Sequence, residues 1–231
     1  MNDFIECYSK YDCLFFSETW CNDFNVPNLK GYSKPFFKNR KRKKAAKRES
    51  GGLCMYFREG LKAGIEEIFW DFEDGMMFRF NKEYFGLEKN LYLMCYYMRS
   101  DKSTREGIND GVSCYDRVLE KMTEIPEGEM LIAMGDHNGR VGERVECFIE
   151  TVRDNESLHD GELFQNNVES YIDNFFVEED FMVNDMSVHR TNKDVKINDY
   201  GIKLLNLCNA ANLCILNGRA FGDKGGNFTF L

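Results

Sequence analysis

The feature that most constrains this 231-residue chain is a series of short apolar runs, each bounded by glycine, charged or turn-forming residues: LCMYF at 53–57, MMFRF at 76–80, LYLMCYY at 91–97 and MLIAM at 130–134. Runs of this length suit strands and are too short for core helices. DCLFF at 12–16 and LCILN at 213–217 add two more, and FTFL at 228–231 starts another. Between them lie helical patterns. Tyr115, Val118, Leu119, Met122 and Ile125 repeat at helical spacing before a Pro126-Glu127-Gly128 stop, and Asp199 caps a helix with Ile202, Leu205 and Cys208 on one face. The opening MNDFIECYSKY carries Phe4, Ile5, Tyr8 and Tyr11 on a third helical face. The reading is a single mixed α/β domain over 1–231, layered as a sandwich, with several strands joined directly. DCLFF and MLIAM are read as buried strands. Residues 142–197 are acidic and irregular and read as a long excursion from the core.

No run approaches the about 18 to 20 apolar residues that span a bilayer. The start lacks the basic-then-apolar layout of a secretion signal, so the expectation is a soluble, intracellular protein with no membrane partner. Hydrophobic residues make up 43% of the chain, which argues against general disorder. The nine cysteines are odd in number and form no CxxC pair, which favours free buried thiols over disulfides or zinc.

Charge is uneven. The net value is −9, yet KNRKRKKAAKR at 38–48 holds eight of the 30 basic residues, leaving 22 to oppose 39 acidic ones. This basic loop, 38–50 with its flanks, reads either as a solvated surface loop or as a phosphate-steering or nuclear-import segment centred on Lys41, Arg42, Lys43 and Lys44.

Several residues could carry chemistry. Glu18, in SETW after DCLFF, is a carboxylate at a strand end, suited to a hard divalent cation or to an ordinary surface position. Gly135-Asp136-His137-Asn138-Gly139 follows MLIAM, and its Asp136 and Asn138, two positions apart, could orient a water and hold a phosphate oxygen. The same residues could equally form an Asx turn. Tyr96 and Tyr97 end LYLMCYY, where a hydroxyl could donate to a phosphate or a ring could fill the core. Thr229, in NFTF, could contact a phosphate. His137, His159 and His189 are the only histidines and share no metal-binding spacing.

In order, the blocks SETW (17–20), GGL (51–53), CYYM (95–98), GDHNGR (135–140), NDYGIKLLNLC (198–208) and ILNGR with GGNFTF (215–230) resemble the endonuclease domain of non-LTR, LINE-type retrotransposons, a branch of the endonuclease/exonuclease/phosphatase superfamily. The resemblance implies a DNase I-like, four-layer α/β sandwich whose members nick DNA by Mg²⁺-assisted phosphodiester hydrolysis, Mn²⁺ being the alternative cation. It implies Glu18 as metal ligand and Asp136 as the group that positions water. Asn138 would hold the phosphate, Tyr96 would match the family tyrosine and Thr229 would lie at the DNA surface. The phosphatases of the same superfamily, and a non-catalytic nucleic-acid-binding module, are the competing expectations. Relative to the family the sequence lacks the first asparagine-bearing strand, the strands after FTF and the Ser-Asp-His block, and His137 stands where phenylalanine is usual. Little nicking activity is expected from a chain without that block.

Overall fold

The computed structural model describes residues 8–22, 24–40, 50–99, 113–144, 146, 148–150, 175–177, 185–187 and 189–227. The chain divides into two compact units, Met1–Asn138 and Gly139–Leu231. Helices and strands mix throughout, so the class is α/β.

In the first unit, β1 (Cys13–Ser17), β2 (Phe36–Lys38) and β3 (Leu53–Phe57) form an antiparallel sheet in the order β1-β3-β2. A second sheet runs β4 (Ile65–Ile68), β5 (Gly75–Phe80), β6 (Leu91–Tyr97) and β7 (Met130–Asp136) in sequence order. Its first three strands are antiparallel, whereas β6 and β7 are parallel. A parallel pair needs a crossover, and α2 (Cys114–Thr123) lies in it. The short α1 (Lys82–Phe85) occupies the β5–β6 connection, capped by Asn81 and stopped by Gly86.

Strand periodicity explains the core. Alternate residues of β3 face opposite ways, so Leu53, Met55 and Phe57 join Met76, Phe78 and Phe80 of β5 and Leu93 and Cys95 of β6 in one apolar cluster between the sheets. Cys54 and Tyr56 turn outward to a second cluster with Tyr8 and Tyr32. The inter-sheet layer is aromatic. Phe57 meets Phe78 at 5.1 Å and Phe80 at 5.7 Å between ring centroids, and Phe36 meets both Phe57 and Phe78, all edge to face. Helix α2 starts from a capping box in which Ser113 and Asp116 bond reciprocally. It buries Tyr115, Val118 and Met122.

The second unit holds the parallel pair β8 (Phe148–Glu150) and β9 (Phe175–Val177) and helix α3 (Asp199–Ala210). Two of the sequence blocks interlock here. The Asn198 side chain accepts from the Gly201 and Arg140 amides, both at 2.8 Å, while the Arg140 carbonyl accepts from Asn198 N at 3.1 Å. A Cβ on Gly201 would lie 1.9 Å from that carbonyl, so the Asn-x-x-Gly spacing is what lets the helix start against the Gly-Arg backbone. Glu146, wholly buried, accepts from Ile215 N at 2.9 Å and from Arg219 Nη2 at 3.0 Å.

Several expectations change. MLIAM is not a buried strand: β7 lies at a sheet edge, and Met130, Ile132 and Met134 are 36%, 44% and 37% exposed. DCLFF is only half-buried. LCILN at 213–217 forms no strand, because the Ile215 amide is bonded to the Glu146 side chain instead of a neighbouring backbone. Asn198, not Asp199, caps α3, and Ile202 is exposed while Leu204, Leu205, Leu207 and Cys208 are buried. Strand β4 was not anticipated, since Ile-Glu-Glu-Ile has no apolar run. The amino-terminal helix expectation and FTFL fall largely outside the described residues, as does much of 142–197. Among the described residues no helix is long and apolar enough to cross a membrane.

Both tryptophans lie in the first unit, so their fluorescence follows its unfolding. Phe78→Ala should lower its unfolding free energy by about 3–5 kcal/mol in urea titrations, the usual cost of emptying a buried phenylalanine site. Phe24→Ala, at a 99% exposed position, should leave the midpoint unchanged.

Candidate functional site

Three residues at strand ends of the first unit, Glu18, Asp136 and Asn138, gather around the phenol of Tyr97. Tyr97, the last residue of β6, donates its hydroxyl to the Glu18 carboxylate and accepts from the Asn138 amide, with Asp136 close enough to bear on its charge. Burial raises the Tyr97 pKa first, and the Glu18 carboxylate raises it further; Asn138 pulls the other way and Asp136 adds to the rise. The hydroxyl therefore stays protonated and able to donate.

Each neighbour is fixed by its backbone. Glu18 follows β1 with φ 54° and Trp20 has φ 52°, left-handed values unusual for such residues. The turn is clamped by Trp20 N to Gly51 O at 2.8 Å, Thr19 N to Gly52 O at 3.2 Å, and Trp20 Nε1 to Glu18 Oε2 at 2.8 Å. The GGL block thus serves the SETW block as its backbone partner. At the other strand end, Asp136 accepts from Asn138 N at 2.8 Å in an Asx turn, and Asn138, at φ 48°, donates its amide to Met98 O at 2.5 Å. Tyr115 of α2 donates to the His137 carbonyl at 2.9 Å.

The Gly-Asp-x-Asn motif is therefore both a turn and part of the polar group, which joins the two readings left open by the sequence. Tyr96 points to the opposite face of β6. It is 1% exposed, with its ring edge-on to Trp70 and to His137. The tyrosine that reaches Glu18 and Asn138 is thus Tyr97. Lys41, Arg42, Lys43, Lys44, Thr229 and His159 lie outside the described residues.

Sequence reasoning missed the layer beneath this group. Asp74, fully buried just before β5, accepts from Arg40 Nε at 2.6 Å on one oxygen and from Arg99 Nε at 2.5 Å on the other; Arg99 also reaches Glu73 at 2.7 Å. Burial raises the Asp74 pKa while the two guanidiniums pull against it. Lys38 donates to the carbonyls of Trp70, Phe72 and Gly75, and burial lowers its pKa. The start of the basic run is therefore internal structure, not a solvated loop. The only signal for this was the isolated Glu-Asp-Gly before MMFRF, and nothing in it names its partners.

The group has the donor chemistry of a hard-cation site. Glu18 and Asp136 offer carboxylate oxygens, and the four carboxylates of Glu18, Glu73, Asp74 and Asp136 exceed the guanidiniums of Arg40 and Arg99 by two charges. Among the described residues no group of three or more His, Cys, Asp or Glu could hold a metal.

His137 faces inward, its Nδ1 buried without a hydrogen-bond partner, and burial lowers its pKa from 6.5 to about 4. Between those values the unfolded chain binds the proton and the folded chain does not. Stability should therefore fall as pH drops from 6.5 towards 4 and level off below, by about 3 kcal/mol at most. His137→Phe should flatten that dependence when tryptophan-monitored urea midpoints are compared at pH 7 and pH 5; an unchanged slope would place the titration elsewhere. Compared with known proteins, the chain matches no family model and no curated protein.

Proposed function

We propose that this chain is an endonuclease-type domain that binds a divalent cation and a DNA phosphodiester at Glu18, Tyr97, Asn138 and Asp136, in the manner of LINE-type endonucleases. The observation that carries the reading is the meeting of Glu18 with the Asp136-Asn138 pair around the single hydroxyl of Tyr97. These are the blocks that the resemblance assigns to cation, water and phosphate, and they lie 118 and 120 positions apart in sequence. Two sheets packed face to face, with α2 contributing buried residues beside the second, also agree with the inner layers of a DNase I-like four-layer sandwich.

Glu18 and Asp136 would hold the cation, Mg²⁺ or Mn²⁺, which when bound supplies Lewis acidity at the phosphate and the leaving oxygen. Asp136 would orient the attacking water and accept its hydrogen bond. Asn138 and the protonated Tyr97 would donate to non-bridging phosphate oxygens as the phosphorus–oxygen bond to the leaving sugar breaks. The basic residues Lys41, Arg42, Lys43 and Lys44 would supply charge for the DNA backbone, and Thr229 a further phosphate contact.

Turnover would be slow. His137, next to Asp136, is turned inward with its pKa lowered by burial, so it would not act as acid or base here. A positioned acid or base contributes about 10² to 10⁴ in rate.

Calorimetric titration with Mn²⁺ should give one site of modest affinity, lost in Glu18→Gln and in Asp136→Asn. Supercoiled plasmid should be nicked slowly in Mg²⁺, with the remainder falling by about 10²-fold or more in Asp136→Ala. Cation binding indifferent to both substitutions, or cleavage that survives Asp136→Ala, would overturn the reading.

A further inference from the structure

We infer that Arg40 is a positioning residue for this site, set in place by Asp74 and acting through Glu18 and Tyr97 and not through direct contact with substrate. The inference rests on the site reading just proposed and goes beyond it, since nothing in the sequence blocks involves either residue.

The geometry singles out Arg40. Its side chain is 7% exposed, too enclosed to meet a DNA backbone. One face of the guanidinium, Nε, is taken by Asp74 at 2.6 Å. Its Nη1 lies 3.9 Å from Glu18 Oε1, and its Cζ lies over the Tyr97 ring at 5.6 Å from the centroid. Arg40 thus lies beside both the Glu18 carboxylate and the Tyr97 ring.

The space it occupies is made by Gly51, whose φ is 68° and where a Cβ would fall 2.3 Å from Cζ and Nε. The same glycine accepts the Trp20 amide that holds the Glu18 turn. Asp74 is tied in as well, because its carbonyl accepts from Tyr97 N at 2.9 Å. Charge, ring stacking and backbone clamp therefore converge on one guanidinium. Its planar fork is what the arrangement uses, and a lysine would supply the charge without the fork.

Electrostatics and positioning give opposite expectations, which makes the inference testable. A cation 3.9 Å from Glu18 should weaken metal binding if charge alone mattered, so its removal would tighten binding. If Arg40 holds Glu18 and Tyr97 in place, its removal loosens binding instead. Partners that orient metal ligands typically cost about 10- to 100-fold in affinity when mutated.

The experiment is Mn²⁺ titration of the full chain, with tryptophan-monitored unfolding run on each variant. Arg40→Lys, Arg40→Met and Asp74→Asn should each weaken Mn²⁺ binding by about tenfold or more. Arg79→Gln, which breaks an exposed ion pair with Glu66 outside this group, should leave Mn²⁺ affinity within about twofold. Should Arg40→Met fail to fold, Arg40→Lys and Asp74→Asn carry the comparison. Binding that Glu18→Gln abolishes but the Arg40 variants leave unchanged or tighten overturns this inference alone. An unaltered chain that binds no Mn²⁺ overturns the site reading and this inference with it.

Discussion

The ring of Phe57 sits where the two sheets of the first unit meet, within 6 Å of Phe36, Phe78 and Phe80. Edge-to-face contacts among large buried rings combine area removed from water with a preferred geometry, so this layer fixes the separation and orientation of the sheets. That in turn decides which strand ends lie together. Glu18 follows β1 of one sheet, while Tyr97 and Asp136 end β6 and β7 of the other, and they can act on one another only because the sheets stack face to face. The polar group is a by-product of an apolar interface some distance from it.

Beneath that group lies a buried carboxylate shared by two guanidiniums. Burying charge is costly unless each oxygen and N–H is met, and Asp74 answers this by accepting from Arg40 on one oxygen and Arg99 on the other. The arrangement favours one conformation over many: a rotated Arg40 would leave Asp74 half satisfied. In the second unit Glu146 plays a similar part, joining Arg219 and the Ile215 amide. Both clusters take arginines that composition alone would assign to the surface.

Much of the first unit was legible because apolar runs with turn boundaries translate directly into strands. LCMYF, MMFRF and LYLMCYY match β3, β5 and β6, and the Tyr115–Val118–Met122 spacing matches α2. The site was legible as blocks and not as side-chain directions. Adjacent strand residues face opposite ways, so Tyr96 and Tyr97 differ by everything that matters, and only the register of β6 distinguishes them. Long-range polar pairing was not legible at all. Nothing near Arg40 in sequence announces Asp74, 34 positions on, and nothing in LCILN announces that Glu146 will take its amide. Composition could not reveal that the basic run begins inside the fold and that only its later residues are candidates for phosphate contact.

The free edge of β7 carries a consequence of its own. A strand that among the described residues pairs on one side only, with Met130, Ile132 and Met134 partly exposed, offers both unpaired backbone and apolar side chains. It carries no lysine or proline to blunt it, and an edge of that kind is a template to which another β-strand can add. Within the described residues, MLIAM is thus the segment most open to backbone pairing with a second chain.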